Sequence, residues 1–284
     1  MSLSLTAAQR SDLLARHRGA IAGSARTRFA TIAVIGALLG LYLYGLASLE
    51  VSFWRVIAGF GNLGSFVVLM LPPDPGSLAR AALFVKALFE TIAIAFLGTV
   101  LAAILAFPLG FLAAKNVIAN RIVHFFARRS LDTVRGVDAL IWALIWVNVV
   151  GLGPFAGMLA IMTADLGAFG KLFSEAIEAA DTKPVDGVAS VGGGKLHQIR
   201  FGLIPQVLPV LAGQVLYYIE SNTRSSTIIG IVGAGGIGLY LAEAIRTLEW
   251  QQVSFLILLI LAAVTAIDFL STKLRFAIIG KRAG

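Results

Sequence analysis

Apolar residues in this chain gather into long uncharged runs at 29–49, 91–114, 139–164, 201–219 and 251–267. A helix needs roughly 20 apolar residues to cross the hydrocarbon core of a bilayer, and most of these runs approach or exceed that. Polar and charged residues collect between them. The pattern predicts an all-α polytopic membrane protein with about six transmembrane helices.

Charge placement orients the spans, because short cytoplasmic loops hold an excess of Lys and Arg. The first run follows Arg10, Arg16, Arg18, Arg26 and Arg28 and is long for the core of a signal peptide, so it reads as a signal anchor. Residues 1–28 are then a basic cytoplasmic tail and 29–49 the first span. Residues 50–82, with VSFWRVIAGF and a Pro-Pro-Asp-Pro break, form an outer loop with a short interfacial helix. The second span, 83–113, returns to Lys115, Arg121, Arg128, Arg129 and Arg135. Because the next polar loop also carries Lys183, Lys195 and Arg200, residues 137–173 must leave and return. They fit a hairpin turning at GLGP, 151–154, with arms of about 18 residues and roughly 27 Å. The fifth span, 201–220, goes out. The last, 251–272, comes in to Lys273, Arg275, Lys281 and Arg282, leaving 276–284 as a cytoplasmic tail. Most of the 23 Lys and Arg thus lie inside, which supports six spans with both termini cytoplasmic.

Composition narrows the chemistry. The chain is 58% hydrophobic and 13% charged, about half the charged fraction of a soluble domain. Its net charge of +8 would suggest nucleic acid in a soluble protein, but here the cytoplasmic loops account for it, so no nucleic-acid partner is expected. The absence of cysteine excludes disulfides and thiolate chemistry. The three histidines (His17, His124 and His197) lie far apart, each within three residues of Arg or Lys, and predict no metal site.

Ionisable residues inside spans are costly and mark a pathway or a pair. Glu90 can pair with Lys86 one turn earlier, Asp268 lies within a turn of Lys273 near the inner face, and Asp165 is expected near the inner boundary, in reach of water. Residues 220–227 differ: ESNTRSST is eight polar residues in succession, read as a polar separator between the fifth span and an apolar, Gly-rich return toward the membrane. Irregular backbone at membrane depth is tolerated where it lines a cavity or is buried in protein. Glu220, Asn222, Arg224, Ser225 and Ser226 are therefore expected to line or gate a path. Arg224 either meets an anionic substrate or pairs with Glu220 at i, i+4.

The run that follows, IIGIVGAGGIG, places Gly233, Gly235 and Gly238 in the pattern G-x-G-x-x-G, the outline of a dinucleotide-binding turn. No acid lies about 20 residues on to hold a ribose, since 253–258 reads VSFLIL, and a chain of spans offers no βαβ unit. Gly233, Gly235, Gly236 and Gly238 are instead expected to supply close helix approach and a flexible, partly unwound segment within an outer gate, 220–240.

The polar loop 174–202 holds short helical stretches at 174–181, 184–191 and 195–201, with Pro184 and a Gly-Gly-Gly break between them. It resembles the coupling loop of type I ABC importer permeases, whose signature is E-A-A, three residues, G, nine residues, I-x-L-P. Asp186-Gly187-Val188 stands for E-A-A, Gly192 matches the glycine, and Gly202-Leu203-Ile204-Pro205 stands for I-x-L-P, two positions strictly and two conservatively. VGLGPFAG (150–157), SEAIE (174–178), LIPQVLP (203–209) and ESNTRSSTIIGIVGAGGIG (220–238) are similar to the phosphonate-type branch. Gly136-Val137-Asp138 departs from it.

The resemblance covers about 83–275, the permease domain of spans two to six, with the first span an addition. It implies a homodimer above two copies of a cytoplasmic ABC ATPase, fed with a phosphonate or related oxyanion by a periplasmic or lipid-anchored binding protein. ATP and Mg would be bound by the ATPase, with no cofactor and no catalysis in this chain. Glu178, Asp186, Gly187, Gly192, Gly193, Lys195 and Pro205 would couple to the ATPase, and residues 220–238 would form the translocation path and gate. Related importers for methionine-like solutes share this core. A secondary transporter or channel driven by the intramembrane acids is the reading from another class, although no inverted repeat is visible between the halves. An intramembrane enzyme would need a Ser/His or Asp/Asp arrangement, and none stands out.

Overall fold

The computed structural model describes residues 25–49, 52–118 and 120–279. Most of the basic tail, Glu50, Lys281 and Arg282 lie outside the described residues. The chain divides into two units, Met1–Phe66 and Val67–Gly284. In the first, α1 (Ala25–Ser48) is long and apolar enough to cross a membrane, with its apolar side chains exposed, and α2 (Phe53–Leu69) is a shorter apolar helix.

The second unit is a bundle of helices whose ends are set by local chemistry. Ser77 caps α3 (Leu78–Ala113) by accepting from Arg80 N at 3.2 Å, satisfying an amide that the first turn leaves unpaired. Asn120 accepts from Ile122 N and Val123 N to start α4 (Arg121–Arg135), and Asp138 accepts from Leu140 N to start α5 (Ala139–Val150). Gly151 and Gly153 take left-handed φ values of +92° and +133° in the turn before α6 (Pro154–Glu178), which Pro154 opens. Asp181 caps α7 (Thr182–Ser190). The short α8 (Lys195–His197) passes through a π turn, Gln198–Leu203, into α9 (Ile204–Ile231). The chain closes with α10 (Ile237–Arg246) and α11 (Trp250–Ile279).

Among the described residues, five helices are long and apolar enough to span a bilayer, or six if α4 and α5 are taken as one broken span bent by 87°. The expected hairpin turns where GLGP stands, but its arms are unequal. α5 has only 12 residues, about 18 Å, and α6 has 25. Asp138 and Gly151 bound the short arm, and on the far side of an 87° bend the chain continues as 121–135, which is not a polar loop. It is an amphipathic basic helix that lies across the bundle. The fifth span also differs from 201–220: it is helical to Ile231, so ESNTRSST is not a separator between helices.

Small residues let α3 and α6 approach. Ala95, Ala102, Ala106 and Ala113 of α3 are fully buried, and a Cβ on Gly98 or Gly110 would stand 2.9 Å from Ile161 Cβ or 2.8 Å from Phe173 Cβ. Within lipid there is little hydrophobic drive between helices, so close van der Waals contact is the main source of association. Phe169, Phe173 and Ile177 of α6 then meet Leu203, Val207 and Leu211 on the π turn and α9. On its other side α6 seats α4 through Gly167 and Gly170, against Leu131 and Arg135.

Gly167→Ala would place a Cβ 2.6 Å from Arg135 N and 2.8 Å from Leu131 O, so backbone must shift. We expect it to destabilise the purified protein by about 1–3 kcal/mol in detergent thermal unfolding. Gly187→Ala in α7 meets nothing within 4 Å and should be neutral or stabilising by up to about 1 kcal/mol.

Candidate functional site

Residues 220–227 keep their polar groups satisfied without leaving the helix. Thr223, Ser225, Ser226 and Thr227 donate their hydroxyls to the carbonyls of Ile219, Ser221, Asn222 and Thr223, one turn back, at 2.9, 3.4, 2.6 and 3.4 Å. This back-bonding is the usual resource of Ser and Thr inside a helix. Asn222 faces the bundle and donates from Nδ2 both to Asp165 Oδ2 on α6 and to Thr99 Oγ1 on α3, the latter at 2.7 Å. Asp165 therefore lies mid-helix and buried. It is not at a wetted boundary.

Glu220 sits under two arginines. Arg275 Nη2 of α11 donates to Glu220 Oε2 at 2.8 Å, and Arg224 Nη2 lies 3.5 Å from Oε1. The carboxylate side chain is 9% exposed and Arg224 52%, so Glu220 is enclosed while Arg224 stands on the open side of the bundle. The i, i+4 pair is present. Arg275, read in the sequence only as a cytoplasmic charge, is the shorter contact. Side chains lean toward the N-terminus of their own helix, which draws Arg275 back along α11 away from the helix end. Glu90 and Lys86 form no ion pair with each other among the described residues.

The other expected path residues separate by environment. Ser225 is half-buried, whereas Asn222 and Ser226 are turned into helix packing. The helix break runs from Val232 to Gly236, with Gly233, Gly235 and Gly236 at φ +95°, +82° and +74°. All of residues 233–238 are buried. Gly153 N donates to Gly233 O at 3.0 Å, tying the break to the α5–α6 turn, and Ile237 N donates to Thr91 Oγ1 of α3 at 2.8 Å. Side chains on these glycines would strike Leu152, Pro154 and Thr91, and one on Gly238 would strike Thr227 O. The segment is unwound as expected, but it is packed on every side and has no room for a pyrophosphate.

At the opposite end of the bundle, α7 is held by a clasp. Gln206 Nε2 donates to Asp181 O at 3.1 Å and to Gly202 O at 2.6 Å, and Asp181 N donates to Gln206 Oε1 at 3.2 Å. Gly202 lets Val185 and Pro184 press on the π turn, and Gly193 packs under Val188. Asp186, Gly187, Gly192 and Lys195 are exposed, and Asp186 and Lys195 line a cavity of about 200 Å³ behind α7. Pro205 lies in the first turn of α9. Glu178 is engaged within the chain, accepting from Lys115 N at 3.0 Å and from Arg128 Nη1 at 3.2 Å. Gln206, Thr91, Thr99 and Arg275 were missed. Arg275 lies four residues after Ser271, on the face of α11 that α9 covers, but no signal in the sequence marks that face.

Residues 106–280 match the family of binding-protein-dependent transport system inner membrane components. The chain belongs to that family. As a family member it is the transmembrane permease subunit of an ABC importer, a transport component and not an enzyme. HtxC of Stutzerimonas stutzeri, named for a phosphite transport system, is 42% identical over 91% of this chain and 90% of its own length. The phosphate-import permease protein PhnE of Mycolicibacterium smegmatis is 36% identical over 88% of this chain and 47% of its own. Among solved structures, the inward-facing MetNI methionine ABC transporter has a chain that matches with TM-score 0.63 and 19% identity, over 71% of this chain and 99% of that one, a likeness of fold. Membership settles the class of transporter: an ATP-driven importer, in which the permease works with an ATPase and a substrate-binding protein, and not a secondary transporter.

Two expectations test the permease's polar seam and its helix break. Asn222→Ala leaves Asp165 and Thr99 without their amide partner and should cost about 1–3 kcal/mol in detergent thermal unfolding. Asp165→Leu combined with Asn222→Leu should recover part of that loss. Gly236→Val, at positive φ against Thr91, should abolish transport while the protein still inserts in the membrane. Normal uptake by this variant, or by Gly235→Val, would show that the break has no part in transport.

Proposed function

We propose that this permease carries a phosphonate or a related phosphorus oxyanion such as phosphite, as a homodimer above two copies of a cytoplasmic ABC ATPase. Substrate would come from a periplasmic or lipid-anchored binding protein, and the ATPase would hold ATP and Mg. The observation that carries the reading is Glu220 held by both Arg224 and Arg275. Two cations on one buried carboxylate leave an excess positive charge, and Arg224, on the open side of the bundle, presents it where an anion could meet it. The names of HtxC and PhnE point to the same class of solute.

In this reading the path follows the open side of α9, past Arg224 and Ser225, with a second copy supplying the opposite wall. Glu220 and Arg224 form the gate, and the glycine break anchors its upper end. Asp186, Gly187, Gly192, Gly193 and Lys195 present α7 to the ATPase, with Glu178 bracing the end of α6 from which the loop leaves. Because Gln206 clasps the start of α7 to the base of α9, motion of α7 reaches the span through Pro205. ATP binding then biases two arrangements of the spans, as alternating access requires.

The test is uptake by proteoliposomes holding the permease, its ATPase and its binding protein. Phosphite, methylphosphonate or phosphate should be imported in an ATP-dependent manner, and Arg224→Ala should lower uptake by about tenfold, the scale of one charge-assisted contact. Unchanged uptake and ATP hydrolysis in Arg224→Ala would remove that residue from the path. Import of methionine but of none of the three oxyanions would overturn the substrate assignment.

A further inference from the structure

Arg121, Arg128 and Arg135 of α4 follow one another at seven-residue intervals, close to two helical turns, and so share one flank of the helix. Arg128 is engaged inward, 3.2 Å from Glu178 and 3.7 Å from Glu175 of α6, and Asp132 meets Lys171 at 4.0 Å. Leu131 is buried against Gly170, which closes the inner face of α4. Arg121, Arg129 and Arg135 are exposed and form no ion pair among the described residues. Beside them three large apolar side chains stand out of the bundle: Ile122 is 68% exposed, Phe125 54% and Phe126 65%. The Phe125 and Phe126 rings meet edge to face at 5.7 Å, and the Arg129 guanidinium lies 5.8 Å from the centre of the Phe125 ring.

Neither water nor hydrocarbon suits this surface. Water would wet a cluster of large apolar side chains, and the bilayer core would hold three arginines without counter-charge. The boundary between headgroups and acyl chains accepts both. Connections also bring α4 to that boundary. It follows the end of the span α3, and through Arg128 it meets the end of α6 from which the loop to α7 leaves. Trp146 of α5 donates to Thr163 of α6 at 3.0 Å, so α5 runs alongside a span, and α4 is bent by 87° from it, close to the plane of the membrane surface. We propose that α4 is an interfacial helix that binds anionic phospholipid of the cytoplasmic leaflet. Arg121 and Arg129 meet the phosphodiester, and Ile122, Phe125 and Phe126 lie among the acyl chains. Charge selects the lipid. The one acid of α4, Asp132, is turned to Lys171, so the exposed side is positive throughout. A zwitterionic headgroup would bring its own cation to that side, whereas an anionic one brings only the phosphate that arginine favours. Because Arg128 ties α4 to Glu178, such a lipid bears on the base of the loop that carries α7, whatever solute is transported.

The chain contains no cysteine, so Ser130→Cys, on the exposed side of α4, accepts a single fluorophore and leaves the arginines and aromatic rings in place. The labelled full-length permease is placed in nanodiscs of phosphatidylcholine and phosphatidylglycerol. Quenching by spin-labelled phosphatidylglycerol is then compared with quenching by the same mole fraction of spin-labelled phosphatidylcholine. Phosphatidylglycerol should be preferred on the order of tenfold, the scale of arginines at an anionic surface. Arg121→Gln combined with Arg129→Gln should bring the two lipids level, with the thermal unfolding temperature in detergent unchanged. Bound ATPase should leave the quenching as it was. Equal quenching by the two lipids before any arginine is changed would overturn the proposal, and so would a preference that survives the double substitution. Quenching by neither lipid would show that protein, such as a second copy of this chain, covers the face. Loss of quenching on adding the ATPase would make α4 a docking surface for that subunit, and either result refutes the lipid site.

Discussion

Asn222 gives its amide protons to Asp165 and Thr99, and through them joins α9, α6 and α3 in the middle of the bundle. Beside Asn222 and the Thr99 hydroxyl the surrounding core is apolar, and the cost of leaving a buried acid unpartnered exceeds most single packing contacts. The bond therefore fixes how α9 is turned about its axis. With Asn222 facing inward, Ser226 one turn on also faces inward, Arg224 faces outward, and Glu220 lies where Arg275 can reach it. The charged cluster inherits its position from this one amide.

The large outline of the molecule was legible in the sequence because length and charge carry it. Runs near the bilayer thickness become helices, and Lys and Arg clusters mark the loops between them. The turn at GLGP and the short helices before Gly192 were legible for the same local reasons. What could not be read was how polar groups are satisfied inside the spans. ESNTRSST reads as a break only if its hydroxyls need water; one-turn back-bonds satisfy them within α9. The basic stretch 121–135 reads as a loop by charge alone, yet its apolar side seats Leu131 against Gly167 and Gly170. Arg275 contributes to the positive end of its span in the sequence and to a carboxylate inside the bundle in three dimensions. A sequence shows the number of such partners and not the direction in which a side chain leans.

The two ends of α9 are held in different ways. At one end the glycine break is buried, its carbonyls and amides tied to the α5–α6 turn and to Thr91, and its left-handed residues exclude any side chain. At the other, α7 is exposed along most of its length and joined to the bundle through Gln206 and the contact of Gly202 with Val185. A rod fixed at one end and clasped at the other transmits displacement from the clasped end, as the proposed coupling through α7 would need.

The π turn at Gln198–Leu203 lies inside that clasp, and the Ile204 amide bonds to Ile199 O, five residues back. Such a turn takes up more residues than an α turn, and each residue added to or removed from a helix rotates everything beyond it by about 100°. Spacing between Gly192 and Pro205 therefore behaves as a screw setting and not as a linker length. A deletion there could leave the backbone continuous and every named side chain present, and still turn α7 to a different point of the compass relative to Asn222.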